Sequence, residues 1–161
     1  MATSVKSKTY VYTDGATVGH NGKLGTVSEV GIGVYIKSNL IIKTHNKITE
    51  VKTATYHKEK MEGISNNEAE FKALIKGMEL CIKLNINKGE VIFKLDSKIV
   101  TNRANGARPI KAKWKNDRMD DFQDRVFELK ENFEKISFEW VPREKNEMSD
   151  KLSKEACKLQ V

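Results

Sequence analysis

The patterned part of the chain opens at Thr9-Tyr10-Val11-Tyr12-Thr13, strand formers that run without a break into Asp14-Gly15. On a pleated strand Asp14 shares a side with Tyr10 and Tyr12, so a position patterned to face a packed layer carries an ionisable group. An Asp-Gly pair also opens turns, and this stretch alone leaves both readings open. A Gly-rich loop is expected from Gly15 to about Glu29, after which Val30-Gly31-Ile32-Gly33-Val34-Tyr35-Ile36-Lys37 resumes as a strand. Ser38-Asn39 reads as a turn. A third strand starts at Leu40 and runs, with an irregularity around His45-Asn46-Lys47, to Tyr56, which completes an antiparallel meander.

The period then changes to that of a helix. Ser65-Asn66-Asn67-Glu68 has the spacing of a capping box, and Phe71, Leu74, Ile75, Met78, Cys81 and Ile82 form an apolar stripe that carries the helix to about Leu84. Glu70 therefore falls in the first two turns, beside the buried stripe. Val91-Ile92-Phe93-Lys94-Leu95-Asp96 is a strand that closes on a carboxylate, and Lys98 to Ala104 is a short helix. A helix from about Asp117 to Asn132 follows, with Met119, Phe122, Val126 and Leu129 on its core side, and then a last strand, Ile136 to Val141. Pro142-Arg143-Glu144-Lys145 is a short loop. Asn146 opens a final helix, with Asp150 one turn in and Met148, Leu152 and Leu159 directed to the core. Strand, helix and strand after a meander imply an α/β mixed sheet with helices packed on it.

Composition adds limits. At 161 residues the chain is one domain's worth, with residues 1–8 as a polar tail and 9–161 as a single domain. Its formal net charge of +7 suits a polyanionic partner. The basic residues concentrate between Arg103 and Arg118, where Arg108, Lys111, Lys113 and Lys115 also lie, with Trp114 among them. Cys81 and Cys157 are expected reduced and buried, no apolar run reaches the ~20 residues of a membrane span, and no apolar leader precedes the first strand. The expectation is a cytoplasmic protein, a monomer, with no membrane partner.

Four acids stand out by position: Asp14 and Asp96 at strand ends, Glu70 and Asp150 near helix starts. If these ends share one edge of the sheet, each pair of carboxylates ~4 Å apart repels by about 4 kcal/mol at an effective dielectric of 20. Such a cluster is protonated or neutralised by a cation. With oxygen ligands alone, the expected ion is Mg²⁺, with Mn²⁺ as a substitute.

At this point the residues resemble a family. Thr13-Asp14-Gly15-Ala16, Asn66-Asn67-Glu68-Ala69-Glu70, Asp96-Ser97 with Val100, and Asn146 four residues before Asp150 are similar, in order and spacing, to the four signature blocks of ribonuclease HI. The resemblance covers about residues 9 to 157. It implies a ribonuclease H-like five-stranded mixed sheet, three antiparallel strands followed by two parallel ones, with helices on both faces. It also implies hydrolysis of the RNA strand of RNA·DNA hybrids by two metal ions, with Asp14, Glu70, Asp96 and Asp150 as the metal-binding and catalytic carboxylates. Gly15, Ala16, Asn66, Asn67, Asn102 and Asn146 take positions that contact substrate in the family, and the lysines Lys111 and Lys113 are expected on its phosphates. The loop that carries a His in better-known members here has Arg143 and Glu144, so Arg143 is expected to act electrostatically. Duplex RNA is a second candidate partner. The alternative reading is a hybrid- or duplex-RNA-binding module without turnover.

Overall fold

The computed structural model describes residues 6–18, 27–42, 47–62, 64–108 and 118–158. Five strands, β1 (Lys6–Val18), β2 (Val27–Ile42), β3 (Lys47–Glu62), β4 (Glu90–Leu95) and β5 (Lys135–Trp140), form one sheet in the order β3-β2-β1-β4-β5. β1, β2 and β3 pair antiparallel, and β4 joins β1 and β5 in parallel, which is the expected mixed topology. The helices are α1 (Asn66–Lys83), α2 (Lys98–Ala104), α3 (Arg118–Lys130) and α4 (Glu147–Lys158).

The alternation of β2 explains the layering. Val30, Ile32, Val34 and Ile36 are buried together with Val11, Phe71, Leu74, Met78, Val91, Phe93 and Leu95 in one core beneath α1. Gly33, on the opposite face, meets α4: a Cβ there would stand 2.1 Å from the Ser149 carbonyl oxygen and 2.6 Å from the Ser153 nitrogen. Only glycine lets the helix lie this close. The capping box at the start of α1 is formed, with Glu68 N–H donating to Ser65 Oγ at 3.2 Å and Ser65 N–H to Glu68 Oε1 at 2.9 Å. Among the described residues, no helix is long and apolar enough to cross a membrane.

Several boundaries differ from the sequence pattern. β1 starts at Lys6, inside the expected polar tail, and runs to Val18, while β2 starts at Val27, so the Gly-rich loop is shorter than expected. Ser38-Asn39 is not a turn: Thr9 and Ser38, both buried, hydrogen-bond through their hydroxyls at 2.7 Å across paired strands, and β2 continues to Ile42. Leu40 to Ile42 therefore belong to β2, and β3 starts at Lys47. On α4, Met148 is 49% exposed, and Ser149 and Ser153 face the sheet instead. Cys81 is buried as expected, and burial pushes its thiol up to about 12. The side chains of Cys157 and Leu159 lie outside the described residues.

Candidate metal centre

Parallel pairing brings two carboxylates to one edge. Tyr12 lies level with Lys94, which sets Asp14 level with Asp96, the first residue beyond β4. The start of α1 sits against the same edge because residue 15 has no side chain; a Cβ at Gly15 would stand 2.1 Å from the Ala69 carbonyl oxygen. That contact delivers Glu70. One carboxylate oxygen from each of Asp14, Glu70 and Asp96 lies within 4.8 Å of the others.

The electrostatics of this triad are unfavourable without a cation. Burial, the largest cause, pushes the Asp14 carboxyl up to about 6, and the charges of Asp96 and Asp150 push the same way against hydrogen bonds to Glu70 and Ser153. Glu70 is held well above the usual carboxylate range, first by burial and then by Asp14, while the Gly15 backbone N–H opposes the shift. Glu70 Oε2 is buried with no hydrogen-bond partner among the described residues. An orphaned carboxylate oxygen in an oxygen-only cluster suits a hard divalent cation such as Mg²⁺ or Mn²⁺. Asp14, Glu70 and Asp96 can hold one.

Asp150 stands apart from the triad. Its Oδ2 accepts from Lys154 Nζ at 2.9 Å, and it reaches Asp14 through its charge. Asn146, expected as a substrate contact, is tied to the cluster itself. It is 1% exposed, and its Nδ2 donates to the Thr13 carbonyl at 3.0 Å and to Asp96 Oδ2 at 3.2 Å, so it supports the cluster from behind. Ser149 and Ser153 extend this support, as Ser149 Oγ donates to Asn146 Oδ1 and Ser153 Oγ to Asp14 Oδ2 at 2.6 Å. Sequence reasoning missed both serines. The available signal was two hydroxyl residues four apart in a helix whose register had been set on Met148 and Leu152.

The remaining expected residues lie on β1, α1, α2 and the turn before α4. Asn66 is exposed and its Oδ1 accepts from Thr17 Oγ1 at 2.8 Å; Asn67 Oδ1 accepts from Ser97 Oγ at 3.3 Å. Gly15 is buried against α1, Ala16 is half-buried on β1, and Asn102 is exposed on α2. Arg143 is exposed on a single turn of 3-10 helix before α4. The arginines of the basic stretch are committed within the fold: Arg103 to Asp120, Arg108 to Asp124 and Arg118 to Glu68, the last at 2.7 Å. Lys111, Lys113, Lys115 and Trp114 lie outside the described residues.

Residues 38–156 match the family described as reverse transcriptase-like. The chain belongs to the reverse transcriptase-like family. A relative in Enterococcus faecalis, EbsB, is 29% identical over 146 residues, 91% of each chain. Among solved structures, this family member is similar to the N-terminal RNase H domain of Rv2228c from Mycobacterium tuberculosis, with 25% identity, a TM-score of 0.64 and 94% of each chain covered. It is also similar to RNase H1 from the halophilic archaeon Halobacterium salinarum, with 25% identity, a TM-score of 0.63, and 92% of this chain and 96% of that one covered. LC11-RNase H1, solved in complex with an RNA/DNA hybrid, matches at 25% identity and a TM-score of 0.62, over 92% of this chain and 96% of its own. The fold of this reverse transcriptase-like chain is that of ribonuclease H.

Proposed function

We propose that this chain is a divalent-metal-dependent endonuclease that hydrolyses the RNA strand of RNA·DNA hybrids. The observation that carries the proposal is the buried to half-buried triad Asp14, Glu70 and Asp96, with Glu70 Oε2 unpartnered among the described residues and the Asp14 and Glu70 carboxyls pushed up, first by burial and then by neighbouring carboxylates. A module that only binds nucleic acid has no use for such a cluster, since a basic groove alone grips phosphates.

Asp14, Glu70 and Asp96 would hold Mg²⁺, with Asp150 as a further ligand on its open side and Mn²⁺ as a substitute. Two ions bound there would supply an ionised water and offset charge on the phosphate and the leaving oxygen. The chain's own part is to keep the carboxylates oriented through Asn146, Ser149 and Ser153 while the metal-free cluster stays partly protonated. Asn66 and Asn67, in the first turn of α1, would read the minor groove, where the 2′-hydroxyls mark the RNA strand. Asn102 on α2 and the backbone of Gly15 and Ala16 would add further substrate contacts. Arg143, exposed before α4, would face charge on the scissile phosphate.

The test is a gel with labelled hybrid, duplex RNA and duplex DNA, each with and without Mg²⁺, for the wild type and Asp96→Asn. The expected outcome is metal-dependent cleavage of the RNA strand of the hybrid by the wild type, and none by the variant, whose metal-free form melts no lower. Hybrid retained on the protein without cleavage at any Mg²⁺ concentration would replace the nuclease with a binding module.

A further inference from the structure

The inner face of α4 is polar where it meets the sheet. Ser149 and Ser153 are both 0% exposed, positions where a helix packed on a sheet ordinarily places apolar side chains. A buried serine in a helix normally returns its proton to a carbonyl one turn back. Ser153 Oγ has such an acceptor, the Asp150 carbonyl at 2.8 Å, but Asp14 Oδ2 lies nearer at 2.6 Å. One hydroxyl has one proton to give, and a carboxylate is the stronger acceptor, so the proton goes to Asp14. This contact exists because Gly33, level with Asp14 on the neighbouring strand, admits the α4 backbone to the sheet surface at Ser149 and Ser153.

A parallel arrangement holds Asp96. Ser149 Oγ donates to Asn146 Oδ1, which fixes the amide so that its Nδ2 points to Asp96 Oδ2 and the Thr13 carbonyl. Two carboxylates of the triad, one on β1 and one just beyond β4, are thus each tied by one oxygen to α4 or to the residue that precedes it.

Resting on the metal-dependent reading above, we infer that Ser153 is a positioning residue for the metal centre: its hydroxyl fixes the plane of the Asp14 carboxylate, so that docking of α4 sets the affinity for the divalent cation. Outer partners of this kind change metal affinity by roughly 10–100-fold when removed. Ser149 acts in the same way on Asp96, through Asn146.

The experiment is calorimetric titration of Mg²⁺ into the full-length wild type, Ser153→Ala and Ser153→Cys, with melting curves and steady-state cleavage of a labelled hybrid on the same samples. The expected result is a Mg²⁺ dissociation constant raised about tenfold in Ser153→Ala, with Ser153→Cys, of similar volume and a weaker donor, in between. The Mg²⁺ concentration for half-maximal cleavage should rise in parallel, while KM for the hybrid stays within about twofold. A packing role alone would lower the melting temperature and leave the Mg²⁺ constant unchanged, and that result would overturn the inference while leaving the nuclease intact. If Ser153→Ala does not fold, Ser153→Cys carries the decision by the same constant. A wild type that shows neither Mg²⁺ binding nor cleavage would remove the metal-dependent reading itself.

Discussion

Glu70 enters the cluster from the second turn of α1 with an oxygen that nothing in the described structure satisfies, beside an Asp14 carboxyl raised by its own burial. The consequence for stability has a definite sign. Because the folded metal-free protein holds the Asp14 proton up to about pH 6, against an ordinary value of 3.8, it binds more protons than the unfolded chain between those limits. The contribution of this group to stability is therefore fully present below the lower value and is lost as pH rises through the upper one, with Glu70 extending the loss to higher pH. Mg²⁺ competes with those protons, so it should raise the melting temperature by more at about pH 8 than at about pH 5, in calorimetric scans with and without the ion. Equal shifts at both values would show that the ion binds elsewhere. Arg143 is the other residue with a separable role. Arg143→Ala should lower turnover by ~10² with KM little changed, and the rate should rise with pH in parallel for both proteins, because a guanidinium does not titrate in the working range. Unchanged turnover would leave Arg143 a purely structural place in the turn before α4.

Among the elements, α4 depends most visibly on a single position of another strand. A methyl group at Gly33 would enter the Ser149 carbonyl at 2.1 Å, and a backbone atom cannot move aside as a flexible side chain can. Gly33→Ala should cost about 1–3 kcal/mol and several degrees of melting temperature. It should also raise the Mg²⁺ requirement, because Ser153 and Asn146 retreat together with the helix. Thermal melts combined with Mg²⁺ titration check both, and a variant that melts lower with an unaltered Mg²⁺ requirement would separate docking from the metal centre. The opposite layer is set locally. The capping box and apolar stripe of α1 were legible in the sequence to within one residue, since both the cap and the stripe are decided by neighbours three and four positions apart.

For the whole molecule, the net charge of +7 is less available than its sum suggests. Arg103, Arg108 and Arg118 are paired with Asp120, Asp124 and Glu68, which leaves the sequence's lysines at 111, 113 and 115 as the expected phosphate contacts. If about three cations engage the backbone, log K for the hybrid should fall with log salt at a slope of order −2 to −3. Reversal of Lys111 and Lys113 to Glu should make that slope shallower, as followed by fluorescence anisotropy across a salt series. An unaltered slope would move the substrate path to another face.

The sequence by itself determined what rests on short-range patterning. The order of strands and helices, the core side of α1 and the placement of Asp96 just beyond β4 and of Glu70 and Asp150 near helix starts all follow from periods of two or nearly four and from caps, whereas Asp14, expected at a strand end, lies inside β1, which runs on to Val18. It also carried the family resemblance, because the four blocks lie in order along the chain. The tertiary structure decided what depends on register and on close approach. Whether Ser38 turns the chain or continues it was settled by Thr9, 29 residues away, because a hydroxyl pair across strands satisfies what a turn would have left to water. The burial of the Asn146 amide between Thr13 and Asp96 was settled by parallel pairing of β1 with β4 and by the depth at which α4 lies. Spacing brings a residue to an edge, and the direction of its side chain is then fixed by partners remote in sequence.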